Sequence, residues 1–198
     1  MTTSIQTITP IVESLLTRTL GDLVENGNAI QQFGLFADNQ VQASIAVVFA
    51  GPEHQRRVVE QVGALACSVG SDTIVMIADT YCSLHKGPVQ PVAPSEDPNA
   101  SEAIWVEIIQ STETAWKLIP YGRDDHGEIV FESTQSGADR GDQFDGWTVR
   151  ELARTLNRCS RESSSLLGLK LARHQLEMSG ATVGVSPAEM ERLASTGT

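Results

Sequence analysis

TIVMIA at residues 73–78, AIWVEIIQ at 103–110, TAWKLIPY at 114–121 and EIVFE at 128–132 decide how this chain folds. The first run is apolar or β-branched throughout, which predicts a central strand covered on both faces. The other three are separated by short polar turns and read as successive antiparallel strands. If the turn between the second and third centres on Thr112, Glu107 faces Lys117 and Ile108 faces Trp116. Ile104, Val106, Ile108, Trp116 and Leu118 then form the core face, and the other face carries a cross-strand ion pair. Trp105 and Trp116 read as core rather than as a stacking platform for single-stranded nucleic acid, because basic neighbours are absent.

Upstream, Thr9-Pro10 is expected to open a first helix, with Val12, Leu15, Leu16, Leu20, Leu23 and Val24 at helical spacing and Asn26-Gly27 as its stop. A hairpin follows, with Phe33 and Leu35 on one strand, Val41, Ala43, Ile45, Val47 and Phe49 alternating on the other, and Asp38-Asn39 at the turn. Gly51-Pro52-Glu53 opens a second helix, with Val58, Val62, Leu65 and Val69 on one side. Downstream, residues 133–146 are polar and glycine-rich and read as a linker. Residues 148–178 carry one long helical pattern, and Ser186-Pro187-Ala188-Glu189 reads as a capping box for a short last helix. The expected fold is α+β: a mostly antiparallel sheet (hairpin, then four strands) with flanking helices. Residues 1–132 form the sheet domain and 147–198 a helical region that packs on it or mediates self-association.

The chain has 198 residues, 25 Asp and Glu against 14 Lys and Arg, and a net charge of −11. Such acidity argues against non-specific adhesion to nucleic acid or anionic membrane. No apolar run approaches the ~20 residues of a membrane span, and residues 1–9 lack the basic start and apolar core of a secretory signal. Cys67, Cys82 and Cys159 are odd in number and far apart, and read as reduced thiols of a cytoplasmic protein.

The charge is unevenly spread. Residues 147–178 hold six Lys and Arg against three Asp and Glu, a local +3, so the remainder carries −14. Arg150, Arg154, Arg158 and Arg161 fall within an arc of about 80° on a helix, opposite Leu152, Leu156, Cys159, Ser163 and Leu166. This ridge suits phosphate or carboxylate, yet Glu151 and Glu162 at pairing distance also suit a solvated face. Residues 148–158 resemble the opening of a helix-turn-helix unit, with Asn157 at the turn and Leu166-Leu167 anchoring a second helix within 148–174. Ser163 departs from that pattern, where an apolar residue is expected.

Asp79, Cys82 and His85, with Asp124, Asp125 or His126, offer metal-ligand chemistry. A single Cys-x2-His spacing lacks the second pair of a strong zinc site. His54 and His174 fall in the first turn of one helix and late in another, and nothing resembles a nucleophile elbow. No nucleotide loop or haem motif is present, and no cofactor is implied. The segment 86–101 holds Pro88, Pro91, Pro94 and Pro98, which present an extended backbone at low ordering cost.

The strand Thr73–Tyr81 leading into a Pro-rich loop, Glu102-Ala103 before a second strand, and Leu118-Ile119-Pro120-Tyr121-Gly122-Arg123-Asp124-Asp125 together resemble small acidic proteins of unassigned function from actinobacteria and their phages. The resemblance covers roughly residues 44–132. It implies an intracellular accessory protein and transfers no catalytic residue. The expectation is a non-enzymatic protein working by protein–protein contact, through the arginine face and the Pro-rich loop, with a protein partner or a second copy as ligand. DNA binding through 148–174 and metal-dependent hydrolysis are the alternatives.

Overall fold

A computed structural model describes residues 5–27, 29–83, 100–140, 147–159 and 164–196. The order is α1 (Ile5–Asn26), β1 (Gln31–Ala37), β2 (Gln40–Val47), α2 (Pro52–Ser68), β3 (Thr73–Ser83), β4 (Ala100–Ile109), β5 (Glu113–Arg123), β6 (Ile129–Phe131) and β7 (Gln135–Arg140). Then come α3 (Trp147–Leu156), α4 (Leu166–Met178), β8 (Thr182–Val185) and α5 (Pro187–Thr196). All strands pair antiparallel in one eight-stranded sheet, ordered β6-β5-β4-β3-β1-β2-β8, with β7 also on β5. The α+β class expected from the sequence is the class observed.

β3 lies inside the sheet between β4 and β1. Ile74 and Met76 point into a core shared with α2, α3, α4 and α5. Val75 and Ile77 point into a second core against α1. One helix thus covers one face and four cover the other, and the C-terminal helices share a core with the sheet. The β1–β2 turn is type I′, with Asp38 at φ 50° and Asn39 at φ 64°, as Asx residues permit.

Several expectations are corrected. The β4–β5 register is Val106↔Lys117, Glu107↔Trp116 and Ile108↔Ala115, one residue from the expected pairing. Gln110 donates its N–H to the Glu113 carbonyl at 2.9 Å, so the turn is the two residues Ser111 and Thr112. A shift of one residue moves every β5 side chain to the other face. Lys117 therefore meets Glu13 of α1 at 3.0 Å, and the buried Glu107 accepts the Trp105 indole N–H at 2.7 Å. Helix α1 starts before Thr9-Pro10, so Pro10 lies inside it. The linker expected at 133–146 contains β7, whose Gly137 crosses Trp116 so closely that a Cβ would lie 2.7 Å from the ring.

The helical pattern of 148–178, open to a single helix or to two with a turn at Asn157, is two helices: α3 ends at Leu156 and α4 begins at Leu166. β8 was not anticipated; its four residues give too little alternation to stand out. In the expected capping box only half forms. Ser186 Oγ accepts the Glu189 N–H at 3.2 Å, whereas the Glu189 carboxylate takes two bonds from Arg192, at 2.6 and 2.7 Å. Finally, two of the expected free thiols are joined: Cys67 of α2 and Cys159 beyond α3 form a disulfide with 4.4 Å between Cα atoms, spanning 92 residues. The two helices pack closely enough that a Cβ on Gly63 would meet Thr155 at 3.0 Å, which brings the two cysteines together.

A cross-link over so long a loop restricts the unfolded chain strongly, by about 2–4 kcal/mol in typical cases. Reduction with dithiothreitol is therefore expected to lower the denaturant midpoint of the wild type. The Cys67→Ser/Cys159→Ser variant should sit at the reduced value and ignore the reductant. Equal midpoints for oxidised and reduced wild type would refute this.

Candidate contact surface on the helical layer

Helix α3 buries Val149, Leu152, Ala153 and Leu156 and exposes Arg150 and Arg154. Arg154 lies 3.8 Å from Glu151, an exposed pair of small energetic weight. Arg158 is exposed in the turn beyond the helix. Arg161, Pro88, Pro91, Pro94, Pro98 and His85 lie outside the described residues. The side chain of Cys82 does too. At the head of α3, Arg56 of α2 stacks over the Trp147 ring, 5.6 Å from its centroid.

Helix α4 is apolar on two sides. Leu169, Ala172 and Leu176 enter the core. Leu167, Leu171 and Met178 are 78, 56 and 75% exposed. At 100° per residue the exposed three span an arc of about 40°, centred opposite the buried three. His174, also exposed, falls on the same stripe. Leaving such side chains in water forgoes about 1.5–3 kcal/mol each for a Leu or Met that a partner could bury fully. The Leu-rich composition of 166–178 was the available signal. It was obscured because a single helix through 178 assigns one apolar face to the whole stretch. The connection from Asn157 to Ser165 is longer than the three- or four-residue turn of a helix-turn-helix, and both α3 and α4 pack on α2.

His54 ties α2 to the end of α4. Its Nδ1 accepts the Ala50 N–H at 2.9 Å, and its Nε2–H donates to the Ser179 carbonyl at 2.8 Å.

Two of the candidate metal ligands, Asp79 and Asp124, are engaged in hydrogen bonds. Asp79 Oδ1 accepts the Tyr121 hydroxyl at 2.9 Å, and Oδ2 accepts the Ala29 N–H at 3.4 Å. Asp124 Oδ1 accepts the His126 and Glu128 N–H groups and closes the β5–β6 turn. Among the described residues, no cluster of three His, Cys, Asp or Glu is placed to hold a metal ion.

Cavities among the described residues lie elsewhere. One, of about 400 Å3, is polar and lies at the sheet end between Asp38, Asp72, Gln110 and Cys159. Another, of about 410 Å3, is an apolar groove between α1 and the β1–β2–β8 face, floored by Gly34, Ala46 and Gly184. Trp105 and Trp116 stack with centroids 5.4 Å apart and are half-buried. No described helix is long and apolar enough to cross a membrane. Comparison with known protein families, curated proteins and solved structures returned no match.

Burial, reinforced by the bond to Asp79 and by that carboxylate's charge, raises the Tyr121 phenol well above its ordinary range. The folded chain keeps this proton when the unfolded chain releases it above about pH 10. The unfolded state then binds fewer protons, so stability falls as pH rises past that point. Tyr121→Phe should cost about 1 kcal/mol at pH 7 and flatten the alkaline decline seen between about pH 10 and 11. Parallel declines in the two proteins would contradict the assignment.

Proposed function

We propose that this chain is a non-enzymatic accessory protein acting by protein–protein contact, with the outer face of α4 as its principal contact surface. One observation carries the reading: Leu167, Leu171 and Met178 form an exposed apolar stripe on a helix whose opposite side is fully committed to the core. Monomers leave single apolar side chains in water freely, but an aligned set on a rigid element marks a docking surface. Lys170, exposed on the same helix, flanks it on one side. An amphipathic helix laid along such a stripe is the mode of recognition that fits its spacing.

Replacing Leu167 and Leu171 by Asp should leave the fold intact, because neither side chain supports the core. The melting temperature should move by no more than about 2 °C. Cross-linking in a lysate, with and without nuclease, should capture a defined protein with the wild type, whether another chain or a second copy. That product should be missing with Leu167→Asp/Leu171→Asp. Capture of nucleic acid alone, released by moderate salt, would instead support DNA binding through the arginine ridge and refute the proposal.

A further inference from the structure

We infer that the partner on α4 is a second copy of the chain, bound by antiparallel α4–α4 pairing about a two-fold axis midway between Leu171 and His174. The inference rests on the reading of α4 as the contact surface and adds what occupies it. The stripe is symmetric about that midpoint. Leu167 and Met178 lie five and a half residues to either side of it, and Leu171 and His174 one and a half. A two-fold operation therefore sets Leu167 against Met178 of the second copy, and Leu171 against His174. An isologous contact requires this self-complementarity of a single patch.

Charge points the same way. Lys170 and Glu177 fall on one flank of the stripe, about 20° apart around the helix, and both are exposed. In an antiparallel pair the like flanks of two helices meet, so each Lys170 approaches the Glu177 of the other copy, twice per dimer. Glu177 also holds Arg173 of its own helix at 2.7 Å, which fixes the carboxylate on that flank. An anionic lipid surface or an acidic peptide would select cations alone, whereas this flank carries both signs. Two chains of net charge −11 also meet with least repulsion where each is least acidic. Residues 147–178, with six Lys and Arg against three Asp and Glu, are that region.

The exposed arc of α4 runs from Arg173 through the stripe to Gln175, and no described element covers it. The stripe is about 16 Å long at 1.5 Å per residue. A single helix pair belongs at the small end of specific interfaces, below about 1,200 Å2, and implies micromolar rather than nanomolar affinity.

Sedimentation equilibrium on the full chain, from about 1 μM to about 1 mM, tests this. The mass should rise with concentration from 21.3 kDa towards twice that value. Leu171→Asp should raise the dissociation constant at least about tenfold. Lys170→Glu should raise it about fivefold, and Lys170→Glu/Glu177→Lys should restore it to within about twofold. A chain monomeric throughout, or a dimer indifferent to Leu171→Asp, would overturn the pairing. Loss with Leu171→Asp but no rescue by the charge exchange would overturn the antiparallel register. Should the chain stay monomeric while lysate capture of another protein is lost in Leu167→Asp/Leu171→Asp, self-pairing fails and the contact surface stands. If anionic vesicles alone bind the monomer in an α4-dependent way, both fail.

Discussion

The constraint on which the structure depends is that β3 must be dry on both faces. Ile74, Val75, Met76 and Ile77 alternate between two cores, and all four are buried. A sheet with such a strand at its centre cannot leave one side to water, so apolar helical surface is needed above and below. The chain supplies it unequally. α1 alone covers one face, and Val12, Leu16 and Leu23 pack on Val75, Ile77, Ile104 and Val106 in that core. A single helix is narrower than the sheet, and the groove beside β1, β2 and β8 is the geometric consequence. On the other face α2 comes first and the remaining helices assemble on it. This is why residues more than a hundred positions downstream share its core.

That assembly is held by different kinds of contact at each end of α2. At its start, the His54 ring bridges the Ala50 N–H and the Ser179 carbonyl, joining the α2 entry to the α4 exit. Near its end, Gly63 lets Thr155 approach and Cys67 bonds Cys159. α5 closes the layer through Glu189 and Arg192, with Arg192 also donating to Ser164 Oγ at 2.9 Å. Glu189 is almost fully buried, so removing Arg192 would leave an uncompensated charge. The outer side of α4 is therefore presented by a helix fixed at both ends. An exposed apolar stripe on such a support is ordered before any partner arrives, so the proposed docking loses little entropy.

The sequence disclosed those elements whose physical cause is local. TIVMIA could only be a strand buried on both faces, Asp38-Asn39 could adopt the positive φ of a tight hairpin, and Gly51-Pro52-Glu53 opened α2 where expected. It did not disclose features set by partners distant in the chain. Gln135–Arg140 has the composition of a linker and becomes a strand because β5 offers it an edge and Trp116 offers it a ring. The Glu107–Lys117 pair was an inference from the turn length, and a two-residue turn sent Lys117 to Glu13 instead. The cysteines carried no pairing information until α2 and α3 were packed. Of the candidate site, the arginines of α3 were legible because basic residues at helical spacing are visible in one dimension. The α4 stripe was not, because its meaning depends on which of its two apolar faces the core takes.

Charge bears on which surfaces of two copies can meet in the proposed pairing. Acidic side chains away from α4 include Glu13, Asp22 and Glu25 of α1 and Asp124, Asp125 and Glu128 of the β5–β6 turn. Copies that approach through those surfaces repel one another over a Debye length of about 8 Å at physiological salt. In the proposed pairing two molecules meet through the helical layer, where basic side chains outnumber acidic ones among the described residues. In that proposed pairing the apolar stripe supplies the attraction, and Lys170 and Glu177 select its direction. An isologous contact uses the one stripe on each copy, so the proposed assembly closes at a pair.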